Sequence, residues 1–219
     1  TSSTYTLTQA EVGKTVTASV SYTDGEGTLE TVTSAATQTV VNVNDDPTGS
    51  VTVTGTATQG QTLTAANTLA DADGLGTLSY QWKAGGVDIN GATSSTYTLT
   101  QAEVGKTITA SVSYTDGGGT SETVTSAATQ AVANVNDDPT GSVTVTGTAT
   151  QGQTLTADTS ALADADGLGT LSYQWKAGGV DINGATSSTY TLTQAEVGKT
   201  ITASVSYTDG EGTSETVTS

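Results

Sequence analysis

The sequence predicts an all-β chain made of tandem β-sandwich domains, and three observations predict it. Thr and Val, which favour pleated strands, dominate a chain of 219 residues that holds only 2 Pro. Short runs alternate apolar and polar residues with the two-residue period of a half-buried strand. The string TSSTYTLTQAEVGKT recurs from Thr1, Thr93 and Thr186, so the chain repeats after 92 and then 93 residues. A period this long suits a series of autonomous small domains rather than solenoid units, which do not fold alone. The extra residue falls where LTAANTLADADG, from Leu63, becomes LTADTSALADADG, from Leu155.

Both prolines lie in the junction strings VNVNDDPTG, from Val41, and ANVNDDPTG, from Ala133. Pro has no amide donor and restricts the residue before it, so these strings read as linkers. Cutting there gives residues 1–44 as the back part of one repeat, 45–136 as a complete repeat, and 137–219 as a repeat without its last strand segment.

Within the complete repeat seven strands are expected, in order. SVTVTGT from Ser50 is the first and QTLTA from Gln61 the second. LSYQWK from Leu78 is the third and sets Leu78, Tyr80 and Trp82 on one face. VDIN from Val87 is a short fourth, and STYTLT from Ser95 the fifth. TITASVSY from Thr107 is the sixth, with Ile108, Ala110, Val112 and Tyr114 in phase. ETVTSAATQAVANV from Glu122 is the seventh, long enough to bend or bulge. QAEVGK offers one helical turn at most and reads as the connection between the fifth and sixth strands. Seven short strands per repeat, with one Trp in the third at Trp82 and Trp175, predict an immunoglobulin-like sandwich. The bridging cysteines of antibody domains are missing, and Thr107 stands near the place of the corner tyrosine.

Composition removes most chemistry. The chain has no Cys and no His, so Cys or His nucleophiles and bases and soft-metal sites lose their parts. A net charge of −17, with five Lys and no Arg, argues against nucleic acid, which needs clustered positive charge. No segment is apolar for long enough to insert in a membrane. Met is also absent, so the sequence reads as a mature fragment or excised piece. An enzyme is not expected, because the remaining Asp and Glu would need a substrate cleft that loops this short do not build.

The sandwich topology predicts where the acids gather. The start of the first strand, the second-to-third loop and the sixth-to-seventh loop lie at one pole. That pole collects Asp45 and Asp46 from the junction, Asp71 and Asp73 from LADADGLG, and Asp116 from YTDGGG. The next repeat collects Asp137, Asp138, Asp164, Asp166 and Asp209. Glu11 and Glu103, in the QAEVGK turns, are expected to face these junctions from the other side. Two like charges about 6 Å apart repel by about 0.7 kcal/mol even in water, so the pairs among five carboxylates approach the lower end of a domain's stability. Hard oxygen ligands of this kind suit Ca²⁺ better than Zn²⁺ or Mg²⁺. Ordinary Asp-Gly and Asn-Asp turn chemistry, with solvated acids, is the competing reading.

The ordered motifs NDDPTGSVTVTGTATQGQTLTA, LADADGLGTLSYQW, STYTLTQAEVGKTI and VSYTDGGGTSETVTS resemble the Ig-like extender repeats of giant bacterial RTX-type surface adhesins over essentially the whole chain. NVNDDP is also similar to the calcium linker of cadherin-like domains, which implies metal roles for Asn44, Asp45 and Asp46 and for Asn136, Asp137 and Asp138. Val43 and Val135 depart from that linker, and the RTX nonapeptide is absent. The resemblance implies an extracellular structural spacer at a bacterial cell surface, as in adhesion or biofilm, made rigid by Ca²⁺ at its junctions. Its expected partners are neighbouring repeats of the same chain. Two alternatives remain open: a matrix fibre whose copies join by strand complementation, and a glycan- or protein-binding module, for which exposed aromatics are few.

Overall fold

The computed structural model describes residues 2–219, and they are all-β apart from three single turns of 3-10 helix. Two compact units are present. The first runs to Ala57 and takes in Gln61–Thr98 and Lys106–Val132; the second comprises Thr58–Gly60, Leu99–Gly105 and Ala133–Ser219.

The first unit begins with a 3-10 turn, Gln9–Glu11, and a hairpin of β1 (Ser19–Thr23) and β2 (Leu29–Thr33). The hairpin pairs Val20 with Val32 and Tyr22 with Glu30. None of residues 2–44 is buried. The unit continues through β3 (Val51–Thr54), β4 (Thr62–Asn67), β5 (Ser79–Ala84), β6 (Val87–Asp88), β7 (Thr96–Thr98), β8 (Ile108–Thr115) and β9 (Ser121–Thr125). These strands form a three-stranded sheet in the order β3-β4-β7 and a four-stranded sheet in the order β6-β5-β8-β9, antiparallel throughout.

Alternation decides which face turns inward. On β8 the residues Ile108, Ala110 and Val112 are fully buried and Tyr114 nearly so, while Thr109 and Ser113 between them stay partly exposed. Trp82, opposite Ala110 on β5, has no exposed surface and lies with its ring centroid 6.1 Å from that of Tyr97 on β7, across the two sheets. Its indole N–H would be costly to bury unpaired, and it donates to the Ser94 carbonyl at 2.8 Å.

The second unit repeats the plan. Strands β10 (Thr144–Thr146), β11 (Thr154–Asp158) and β14 (Thr189–Thr191) form one sheet; β12 (Ser172–Ala177), β13 (Val180–Asp181), β15 (Ile201–Thr208) and β16 (Ser214–Thr218) form the other. Val143, Leu155, Trp175, Leu192, Ala203, Val205 and Tyr207 make one buried cluster between them.

Two local features differ from the sequence expectation. The seventh strand stops at Thr125, because at Ser126 and Thr129 the hydroxyl oxygens, not backbone carbonyls, accept from the Ala110 and Ile108 amides at 3.0 Å. The chain beyond still runs alongside β8, with Thr129 N donating to Ile108 O and Val132 N to Lys106 O. The QAE turns are also better defined than a plain connection: each is a capping box, in which Thr100 or Thr193 binds the turn's backbone and Glu103 or Glu196 reaches back to the threonine amide.

Candidate metal centre

In the first unit three carboxylates from two loops converge. Asp71 and Asp73 stand in the loop between β4 and β5, and Asp116 follows β8; one oxygen of each lies within 4.8 Å of the others. Asp73 is only 8% exposed and Asp116 only 6%. Glycines close the two loops on each other. A Cβ on Gly76 would collide with the Thr115 carbonyl oxygen, and one on Gly117 with the Asp73 carbonyl oxygen. Gly117 N also donates to Asp73 O at 3.1 Å.

Each carboxylate is oriented by its own hydrogen bonds. Asp71 accepts from the Asp73 amide at 2.9 Å and, through its other oxygen, from the Tyr114 hydroxyl at 2.7 Å. Burial and the Asp71 carboxylate push the Tyr114 hydroxyl well above its ordinary value, so it stays protonated and donates. Asp73 accepts the Asp45 amide at 2.8 Å and the Gln9 side-chain amide at 2.7 Å. Asp116 Oδ1 closes its own turn by accepting Thr120 N at 2.7 Å. Its Oδ2 is buried with no hydrogen-bond partner, and so is Asn42 Oδ1. Asn42 and Asp116 lie over one spot, since a Cβ on Gly118 would stand 2.6 Å from Asn42 Nδ2 and 3.3 Å from Asp116 Oδ1.

The second unit reproduces the hydrogen bonds. Tyr207 donates to Asp164, Asp166 N to Asp164 Oδ1, Asp137 N to Asp166 Oδ2 and Gln101 Nε2 to Asp166 Oδ1, while Thr213 N closes the turn onto Asp209 Oδ1. Asp209 Oδ2, Asn134 Oδ1 and Gln101 Oε1 are the buried oxygens left without a partner. Among the described residues, only the first unit brings three carboxylates within the shorter separation.

The remaining residues expected at the site are placed differently. Asn44 and Asn136 turn their amide nitrogens to Glu122 and Glu215, at 2.9 and 3.0 Å. Asp45 is exposed and reaches the cluster through its backbone amide; Asp46 and Asp138 are also exposed. Asp137 accepts the Gln59 side-chain amide at 2.6 Å. Glu11 and Glu103 do not face the cluster: each caps its own turn, Glu11 taking Thr8 N and Glu103 taking Thr100 N at 2.9 Å. Their neighbours Gln9 and Gln101 make the contact instead. Sequence reasoning missed Asn42, Asn134, Gln9 and Gln101. Only their recurrence at one offset from the junction and turn strings could have flagged them.

The donor set is all oxygen, from carboxylates and carboxamides, and suits a hard divalent cation. An unpaired buried carboxylate oxygen is costly, and a cation would satisfy it. Lys83 and Lys176 are engaged with Asp88 and Asp181 on the β5–β6 and β12–β13 hairpins. No protein-family model matches the chain, and no curated protein matches it either.

Proposed function

We propose that the chain is an extender segment of a bacterial cell-surface adhesin, whose repeats are joined and stiffened by Ca²⁺ at their junctions. The observation that carries the reading is the cluster of Asp71, Asp73 and Asp116 together with the buried, unpartnered oxygens Asp116 Oδ2 and Asn42 Oδ1 and, in the second unit, Asp209 Oδ2 and Asn134 Oδ1. In each set the aspartates belong to one sequence repeat and the asparagine to the junction that precedes it. An ion held by both would couple the junction to the following sandwich.

Asp71, Asp73 and Asp116 with Asn42 would hold one ion; Asp164, Asp166 and Asp209 with Asn134 would hold the other. The ion supplies charge neutralisation and no reaction. Near-identical repeats fit a spacer, in which length is the useful property, and the net charge of −17 keeps such an array dispersed. Among the described residues no helix is long and apolar enough to cross a membrane.

The test compares thermal unfolding and small-angle scattering with Ca²⁺ and with excess chelator. The reading requires a higher Tm and a narrower distribution of end-to-end distances with Ca²⁺. Identical curves under both conditions would reject it.

A further inference from the structure

Seven asparagines stand in the chain, and two of them precede a glycine: Asn90 before Gly91 and Asn183 before Gly184. Each pair fills the corner of a four-residue turn, closed by Ala92 N on Ile89 O and by Ala185 N on Ile182 O, both at 3.1 Å. Gly91 has φ +75° and Gly184 φ +77°, as the third position of a type II turn requires. A Cβ on either glycine would meet nothing within 4 Å, so the corner has space to rearrange.

Asn90 and Asn183 are exposed, and among the described residues their side chains make no hydrogen bond. The amides of Gly91 and Gly184 donate none either. The other five asparagines are placed differently. Asn44 and Asn136 hold Glu122 and Glu215, Asn67 donates to the Tyr80 hydroxyl and accepts from Leu69 N, and Asn42 and Asn134 are partly buried. Each of these five precedes Val, Asp or Thr, whose side chain crowds the following amide.

We propose that Asn90 and Asn183 are sites of spontaneous deamidation, a covalent modification that needs only water. The Gly91 amide nitrogen attacks the side-chain carbonyl carbon of Asn90, which glycine permits because no Cβ hinders the approach. The new C–N bond closes a five-membered imide, and the side-chain nitrogen leaves as ammonia with the proton given up by the attacking amide. Water then opens the imide. Breaking the new bond restores the backbone and leaves aspartate; breaking the original peptide bond routes the chain through the side chain as isoaspartate, one carbon longer. Asn183 and Gly184 react in the same way.

The isoaspartyl product matters because both ends of the turn hold the core tryptophan. Ile89 N donates to Trp82 O at 2.9 Å, Trp82 N to Ala92 O at 3.0 Å and the Trp82 indole to Ser94 O at 2.8 Å. Around Trp175 the same three bonds measure 2.8, 3.0 and 2.9 Å. An extra backbone carbon between Ile89 and Ala92, or between Ile182 and Ala185, spoils that register. The aspartyl product only adds a charge at an exposed place.

The test holds the full chain in mildly alkaline buffer, folded or unfolded in urea, and follows it by peptide mapping, with isoaspartate counted by enzymatic methylation. Trypsin releases residues 84–106 and 177–199 as identical peptides, so Asn90→Gln and Asn183→Gln variants separate the two sites. Both sites should convert in the folded chain, with isoaspartate among the products, before any other asparagine does. The aged chain should also unfold at lower urea than a fresh chain carrying Asn90→Asp and Asn183→Asp, which has the added charge without the longer backbone. Conversion only in urea, or conversion of another asparagine at the same pace, overturns the two turns as the sites. An aged chain rich in isoaspartate with an unchanged urea midpoint overturns the coupling to Trp82 and Trp175.

Discussion

Gln9 donates its side-chain amide to Asp73 across 64 positions of sequence, at 2.7 Å, and Gln101 repeats the contact with Asp166 at 2.9 Å. Each ties the turn after one sequence repeat's fifth strand to the acidic loop of the next. The bond ends on a carboxylate in partly buried surroundings, so it is worth more than an ordinary surface contact.

Gln101→Ala should therefore lower stability in chelator by about 1.5–3 kcal/mol, the range for a hydrogen bond to a charged group. Urea unfolding of the second unit's transition measures it. An unchanged midpoint would mean that the contact contributes nothing.

Trp82→Ala should cost about 3–5 kcal/mol, because a side chain with no exposed surface leaves a cavity and strands the Ser94 carbonyl. Trp175→Ala should cost about the same, given the matching bond to Ser187 O. The two single variants should each destabilise one transition in urea.

Gly76→Ala places a methyl group against the Thr115 carbonyl and forces the loop after β4 away from β8. Asp71 and Asp73 would then separate from Asp116. Calcium-dependent stabilisation of the first unit should be reduced more than in a Gly74→Ala control, where the added carbon meets nothing within 4 Å. Gly74 has φ +94°, so the control itself should lower stability in chelator while leaving the calcium increment.

Acid should weaken the second unit through Glu196. The Thr193 amide and hydroxyl hold its carboxyl below the ordinary value of 4.5. A depressed carboxyl contributes stability above its unfolded value and loses it as pH falls through the folded one, so the decline should begin below about pH 4.5. Glu196→Gln should flatten that part of the stability profile measured by urea unfolding from pH 6 to pH 3.

Much of this architecture is legible in the residues themselves. Period-two alternation at Ile108, Ala110, Val112 and Tyr114 marks β8 and its buried face, and Trp82 falls in phase on β5. The meeting of Asp71, Asp73 and Asp116 follows from topology alone. The end of β9 was not legible, because it depends on the Ser126 and Thr129 hydroxyls replacing carbonyls in the ladder, a choice alternation does not encode. Nor were the carboxamide contributions. Asn42 and Asn44 stand two apart in one linker, so both face the same side of an extended chain; yet Asn44 is taken by Glu122 and Asn42 is left beside Asp116. Glu11 was misassigned, and Gln9 missed, for a related reason: the nearer backbone of the capping box captures the carboxylate before it reaches the junction.

The most direct test of the central claim is a calorimetric Ca²⁺ titration of the wild-type chain beside Asp116→Asn, Asp209→Asn and the double variant. Extracellular calcium modules often bind at about 10⁻⁴ to 10⁻³ M, and binding in that range is expected here. The account predicts that each single substitution removes one set of sites and the double removes both, while circular dichroism stays unchanged. Equal heats from all four proteins, or none from the wild type at millimolar Ca²⁺, would contradict it.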